Sequence, residues 1–148
     1  ARLGPYLAAL KNAVQDLSLG AEFTQAVQVL LKLPCTQRCY LIGRYGLQIG
    51  ANVEADRNVQ ARDPRFDQMK PTAGTDWQTK SYFRRAIETP GKIQVTRPYL
   101  AVAGPKLCVT LSFDFEAPDG LQQVLCTDLD FAALAGDDLA FGVSRLHG

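Results

Sequence analysis

Two apolar runs, Leu107 to Phe115 and Leu121 to Leu129, are joined through Ala117-Pro118-Asp119-Gly120, which leaves no room for a crossover helix. Strands connected this tightly run antiparallel. A second pair of short runs, Cys39 to Ile42 and Leu47 to Gly50, flanks Gly43-Arg44-Tyr45-Gly46 and reads as a β-hairpin. A further strand, Ile93 to Thr96, precedes the carboxyl-terminal pair. With no helix between most neighbouring strands, the sheet is antiparallel and the class is α+β.

Helices surround this strand set. Leu3, Leu7, Leu10, Val14 and Leu17 recur at alternating steps of four and three, which lines one side of a helix with apolar groups. Pro5 is tolerated in its first turn, and Gly20 ends it by accepting a positive φ. Phe23, Val27, Leu30 and Leu31 mark a second helix that Pro34 stops. Helical spacing returns over Asp76 to Glu88, where Trp77, Tyr82 or Phe83, Ala86 and Ile87 are available to face inward before Pro90-Gly91. Residues 51–75 are polar and longer than a passive connection requires, and long loops of this kind often cover a site.

The chain has 148 residues, a length that suits one domain spanning residues 1–148. A hydrophobic fraction of 47% against 21% charged residues is that of a packed soluble fold rather than a disordered chain. The net charge of +1 gives no broad attraction for phosphates and argues against nucleic acid as a partner. No apolar run approaches the roughly 20 residues of a membrane-spanning helix, and the amino end lacks a signal-peptide pattern. The abrupt start in a helical pattern is what a piece excised from a larger protein would show. The only histidine, His147, is too close to the end to suggest catalysis, and the spacing of the four cysteines does not fit a structural zinc site.

The run Gly74-Thr75-Asp76-Trp77-Gln78-Thr79-Lys80-Ser81-Tyr82-Phe83-Arg84-Arg85-Ala86-Ile87, followed by Pro90-Gly91, resembles the central motif of Cache sensor domains, also called PDC or extracytoplasmic PAS-like domains. Thr96-Arg97-Pro98-Tyr99 is similar to their Ser-x-Pro-Tyr strand end. Val109-Thr110-Leu111-Ser112 is similar to their next strand, and Val124-Leu125-Cys126-Thr127-Asp128-Leu129 to their closing strand. The resemblance implies a long amino-terminal signalling helix (residues 1–19) packed on a PAS-like core (39–135), a five-stranded antiparallel sheet of order 2-1-5-4-3. It further implies a periplasmic location in an inner-membrane signal-transduction protein, with flanking transmembrane helices and a small metabolite bound between the sheet and the helix above it. The signal would pass to a kinase, a chemoreceptor region or a cyclic-dinucleotide module.

Carried onto this chain, the resemblance points to Lys80 and Tyr82 in the central motif, Tyr99 at the strand end and Asp128 in the closing strand as ligand-facing positions. Trp77 joins them as an aromatic wall or a core residue. A cation and a carboxylate facing one cavity suit the two ends of a zwitterion. The amino-acid-binding branch carries Arg, then Trp-Tyr two residues on, where this chain has Lys80, Tyr82 and Phe83. Lysine supplies a point charge instead of a bidentate clamp, so Arg97 becomes the substitute candidate. Of Arg84 and Arg85, consecutive on a helix, at most one faces the site. Asp130 reads as a cap for the helix that follows. No cofactor is expected, and the chain is not read as an enzyme.

Cys35, Cys39, Cys108 and Cys126 permit up to two disulfides. A hairpin centred on Pro118-Asp119 leaves Cys108 and Cys126 out of register unless a bulge intervenes, whereas the family order would set Cys39 beside Cys126. Disulfides and buried free thiols both stay open at this point. Three rival readings stand beside the sensor: a cytoplasmic PAS-like module holding haem or flavin, a thiol enzyme using Cys39 or Cys126, and a module whose heptad-like first helix forms a homodimer around an empty pocket.

Overall fold

The computed structural model describes residues 2–56, 81–100 and 106–136. Helix α1, Gly4–Ser18, buries Tyr6, Ala9, Leu10, Ala13, Val14 and Leu17 on one side, the stripe that the leucine spacing predicts. Gly20 ends it at φ 98°, and the amide of Ala21 reaches back to the carbonyl of Asp16 at 3.0 Å. The expected second helix is two single turns, α2 (Phe23–Ala26) and α3 (Gln28–Leu31), separated at Val27, whose ψ is 0°. The break lets Ala26, Val27, Leu30 and Leu31 all reach the core, which one straight stripe would not.

Strands β1 (Thr36–Gly43) and β2 (Gln48–Glu54) form the first hairpin, and α4 (Ser81–Glu88) follows later in the chain. Then come β3 (Gln94–Val95), β4 (Tyr99–Leu100), β5 (Leu107–Glu116) and β6 (Gln122–Asp130). The antiparallel sheet has the order β2-β1-β6-β5-β3, with β4 also paired to β5. Counting β3 and β4 as one interrupted strand returns the expected 2-1-5-4-3 order. The strand expected over Ile93 to Thr96 is β3, and β4 follows as a separate short strand after Pro98, which has no N–H for the ladder. At the break the Thr96 side chain stands in, its Oγ1 accepting from the Thr110 amide at 2.9 Å.

The pleat sorts the chain into two cores. Cys39, Leu41, Val109, Leu111, Phe115, Leu125 and Leu129 face α1 and α3. Tyr40, Ile42, Val124 and Cys126 face the other way, against Tyr82, Phe83 and Ala86 of α4. Alternation with period two therefore gives β1, β5 and β6 one side for the amino-terminal helix and one for α4. A last helical stretch, α5 (131–136), begins where Asp130 Oδ1 accepts from the Ala133 amide at 3.3 Å, the capping role expected for it. Among the described residues no helix is long and apolar enough to cross a membrane.

All four cysteines are free and buried, so of the two alternatives left open by the sequence the structure has the buried thiols and not the disulfides. Cys108 lies opposite Asp130, four residues along β6 from Cys126. Cys39 and Cys126 belong to opposite faces of the sheet, so adjacency of their strands does not bring the sulfurs together.

Candidate functional site

On the α4 side, the sheet carries a buried polar cluster that crosses three strands. Arg38 on β1 donates from Nη1 to Asp128 Oδ2 on β6 at 2.9 Å, and from Nε to Glu54 Oε2 on β2 at 3.2 Å. The other oxygen of Asp128, Oδ1, accepts from the Tyr40 hydroxyl at 3.0 Å and the Thr110 hydroxyl at 2.8 Å. Thr110 in turn shares a short hydrogen bond with the Tyr99 hydroxyl. The Tyr40 and Tyr82 hydroxyls are 3.0 Å apart. These contacts follow from the register, since Asp128 sits opposite both Arg38 and Thr110, and Tyr40 is two residues along β1 on the same face.

Burial acts strongly on this cluster. It pushes the phenols of Tyr40, Tyr82 and Tyr99 far up, and the nearby carboxylate of Asp128 pushes in the same direction, so all three stay protonated donors. For Arg38, burial alone would lower its pKa, but the carboxylates of Asp128 and Glu54 outweigh it and hold the guanidinium charged. Burial also raises the Cys39 and Cys108 thiols to about 12, the wrong direction for a thiolate nucleophile.

Beside this cluster, between α4 and the interrupted edge strand, opens a cavity of about 670 Å³. Its lining includes Tyr82 and Arg85 from α4, then Thr96, Arg97, Pro98 and Tyr99 from the edge. The Tyr82 and Tyr99 rings lie 6.3 Å apart and inclined by 25°, forming a stacked aromatic wall. α4 is fixed there by Tyr82 and Phe83 in the core and by the Ser112 hydroxyl, which donates to the Tyr82 carbonyl at 3.1 Å. A second hollow of about 480 Å³, on the α1 side, is lined mainly by Leu3, Val109, Phe131 and Leu134 and lacks a converging polar set.

Tyr82, Arg97 and Tyr99, singled out in the sequence, are therefore neighbours around one cavity, whereas Asp128 lies behind it, 5% exposed, with both oxygens engaged. Trp77 and Lys80, and the polar stretch 57–75, lie outside the described residues. Of the two consecutive arginines, Arg85 lines the cavity. Arg38, Tyr40, Glu54 and Thr110 were not anticipated. The usable signal was a charged residue, Arg38, two positions before Tyr40 and four before Ile42 at the start of an otherwise apolar run, where a buried pair is needed.

No family sequence profile matches the chain, and no curated protein matches it in sequence. Solved structures do. An extracellular ligand binding receptor from Desulfohalobium retbaense superposes with a TM-score of 0.65 at 13% identity, over 90% of this chain and 24% of that one. The ligand-binding domain of the Pseudomonas fluorescens chemoreceptor CtaA, in complex with L-serine, gives 0.58 at 18% identity, over 89% and 52%. The ligand-binding domain of the Pseudomonas aeruginosa amino acid chemoreceptor PctC, in complex with GABA, gives 0.61 at 16%, over 90% and 57%. The chain has the fold of these ligand-binding domains. The chain spans between a quarter and somewhat over half the length of these neighbours. The cavity over the α4 face of the sheet is lined by two phenols and two guanidiniums. Among the described residues no group of three His, Cys, Asp or Glu side chains is placed to hold a metal ion.

Proposed function

We propose that this chain is the extracytoplasmic sensing domain of a signal-transduction protein, binding a small carboxylate or amino-acid-like metabolite and catalysing no reaction. The observation that carries the reading is the cavity itself, in which Tyr82 and Tyr99 form a wall, Arg85 and Arg97 supply charge, and a locked polar cluster stands behind. A mostly apolar hollow with a few fixed polar groups is what a small-molecule site requires. Two of the structural neighbours hold L-serine and GABA, small molecules of the kind proposed here.

The geometry also supplies a route for the signal. Thr110 bonds to Tyr99 on the cavity side of β5, while its neighbours Val109 and Leu111 face the α1 core. A ligand that repositions Tyr99 therefore pulls on the strand against which α1 rests, and a helix continuing from α1 toward a membrane would carry that displacement to an output module.

The test is a thermal-shift screen of the 148-residue chain against metabolites, followed by amide chemical-shift mapping of any hit. A ligand held at about one hundred times its Kd stabilises the fold by about 2.7 kcal/mol. Binding is expected to perturb amides around Tyr82, Tyr99 and Thr110, then those of α1. A broad panel that leaves both Tm and these amides unchanged would falsify the sensor reading.

A further inference from the structure

We propose that the cavity selects organic-acid anions that carry no amine, and that Arg38 is the residue that sets this preference. The inference rests on the sensor reading and narrows it to a ligand class. The ammonium group of a zwitterion is held most strongly by a carboxylate free to accept from it. In the cluster facing α4 the acidic side chains are Asp128 and Glu54, and Arg38 spans both, at 2.9 and 3.2 Å. Asp128 Oδ1 is further occupied by the hydroxyls of Tyr40 and Thr110, and only 5% of the residue is exposed. An ammonium group would have to displace a buried guanidinium to reach it.

The cavity lining has the opposite character. Arg85 and Arg97 line it, and among the described residues neither pairs with a carboxylate and no acidic side chain joins the lining. Two guanidiniums suit the planar fork of a carboxylate, and the stacked rings of Tyr82 and Tyr99 suit a short carbon skeleton. Among the described residues the chemistry presented to a ligand is thus cationic and aromatic, with the carboxylates of Asp128 and Glu54 already engaged inside the protein.

Matched four-carbon probes test this by calorimetric titration of the 148-residue chain: succinate, butyrate, 4-aminobutyrate and putrescine, with L-lactate against L-alanine as a second pair. Within each pair the amine-free acid is expected to bind at least about tenfold more tightly than its amino counterpart, and putrescine not at all. Arg97→Gln and Arg85→Gln, both at exposed positions, should each weaken the acid by about tenfold while leaving Tm unchanged. Arg38→Gln releases Asp128 and should improve 4-aminobutyrate or L-alanine relative to the matched acid. If that variant does not fold, Asp128→Asn decides in its place, since an Asp128 held by Arg38 makes no ligand contact and its loss should leave the acid-over-amine preference unchanged. Amino compounds binding as tightly as their acids, with binding lost in Asp128→Asn, would overturn the inference while leaving the sensor reading intact. Absence of any binding, in these pairs and in the wider metabolite screen, would overturn both.

Discussion

Asp128 shows how one side chain can be conspicuous in a sequence and still have its role decided elsewhere. Its place near the end of an apolar strand marks it as unusual, but the partners that consume its charge come from β1 and β5, which no local pattern links to it. Tyr40 is the residue through which this can be measured. Its hydroxyl donates to Asp128 at 3.0 Å and lies 3.0 Å from the Tyr82 hydroxyl, so Tyr40→Phe should cost about 1 to 2 kcal/mol in a denaturant titration. Asp128→Ala leaves Arg38 buried with Glu54 alone and should cost more, about 3 kcal/mol. The thiols give a pH prediction. Cys39 and Cys108 ionise near 9 in an unfolded chain and are raised to about 12 in the fold, so their contribution to stability is full below 9 and is lost as pH rises toward 12. Denaturation midpoints should fall across that interval, and Cys39→Ala should flatten the slope. Native protein should also resist alkylation at these buried sulfurs, and rapid native labelling would revive the thiol-enzyme reading.

At the scale of elements, α1 and the β5–β6 hairpin were legible because each is specified by short-range chemistry. The leucine stripe of α1 is buried as its spacing requires, and Leu10, fully buried, is its centre. Leu10→Ala should cost about 2 to 5 kcal/mol by leaving a cavity against the sheet, read as a loss of Tm. Gly120, at φ 84°, turns the chain between β5 and β6 and gives its amide to the Ala117 carbonyl at 2.8 Å. Gly120→Ala should therefore cost about 1 kcal/mol through backbone strain alone. Two elements departed from expectation for reasons of the same short range. Pro98 separates β4 from β3, and Val27 divides a helix into α2 and α3. Arg97 and Tyr99, on either side of Pro98, line the same cavity.

For the molecule as a whole, the decisive property is a sheet with two occupied faces, helices α1 to α3 on one and α4 on the other. Among the described residues β1, β5 and β6 lie between the α4 side and α1, so binding of a ligand there should slow amide exchange in β5 and α1 together. Protection confined to α4 would show that the two faces are uncoupled. Apolar periodicity and the turn residues determined by themselves the α+β class and the antiparallel pairing, since each depends on neighbours in the chain, whereas the strand order was only implied by the resemblance of the motifs between Gly74 and Leu129. Tertiary structure alone decided that Arg38 reaches both Glu54 and Asp128, and that Cys39 and Cys126 turn away from each other. It also decided that Arg85 joins Arg97 at one cavity. Those outcomes depend on register and pleat across strands up to ninety residues apart, and the energy of a buried charge is set by the partners that meet it there.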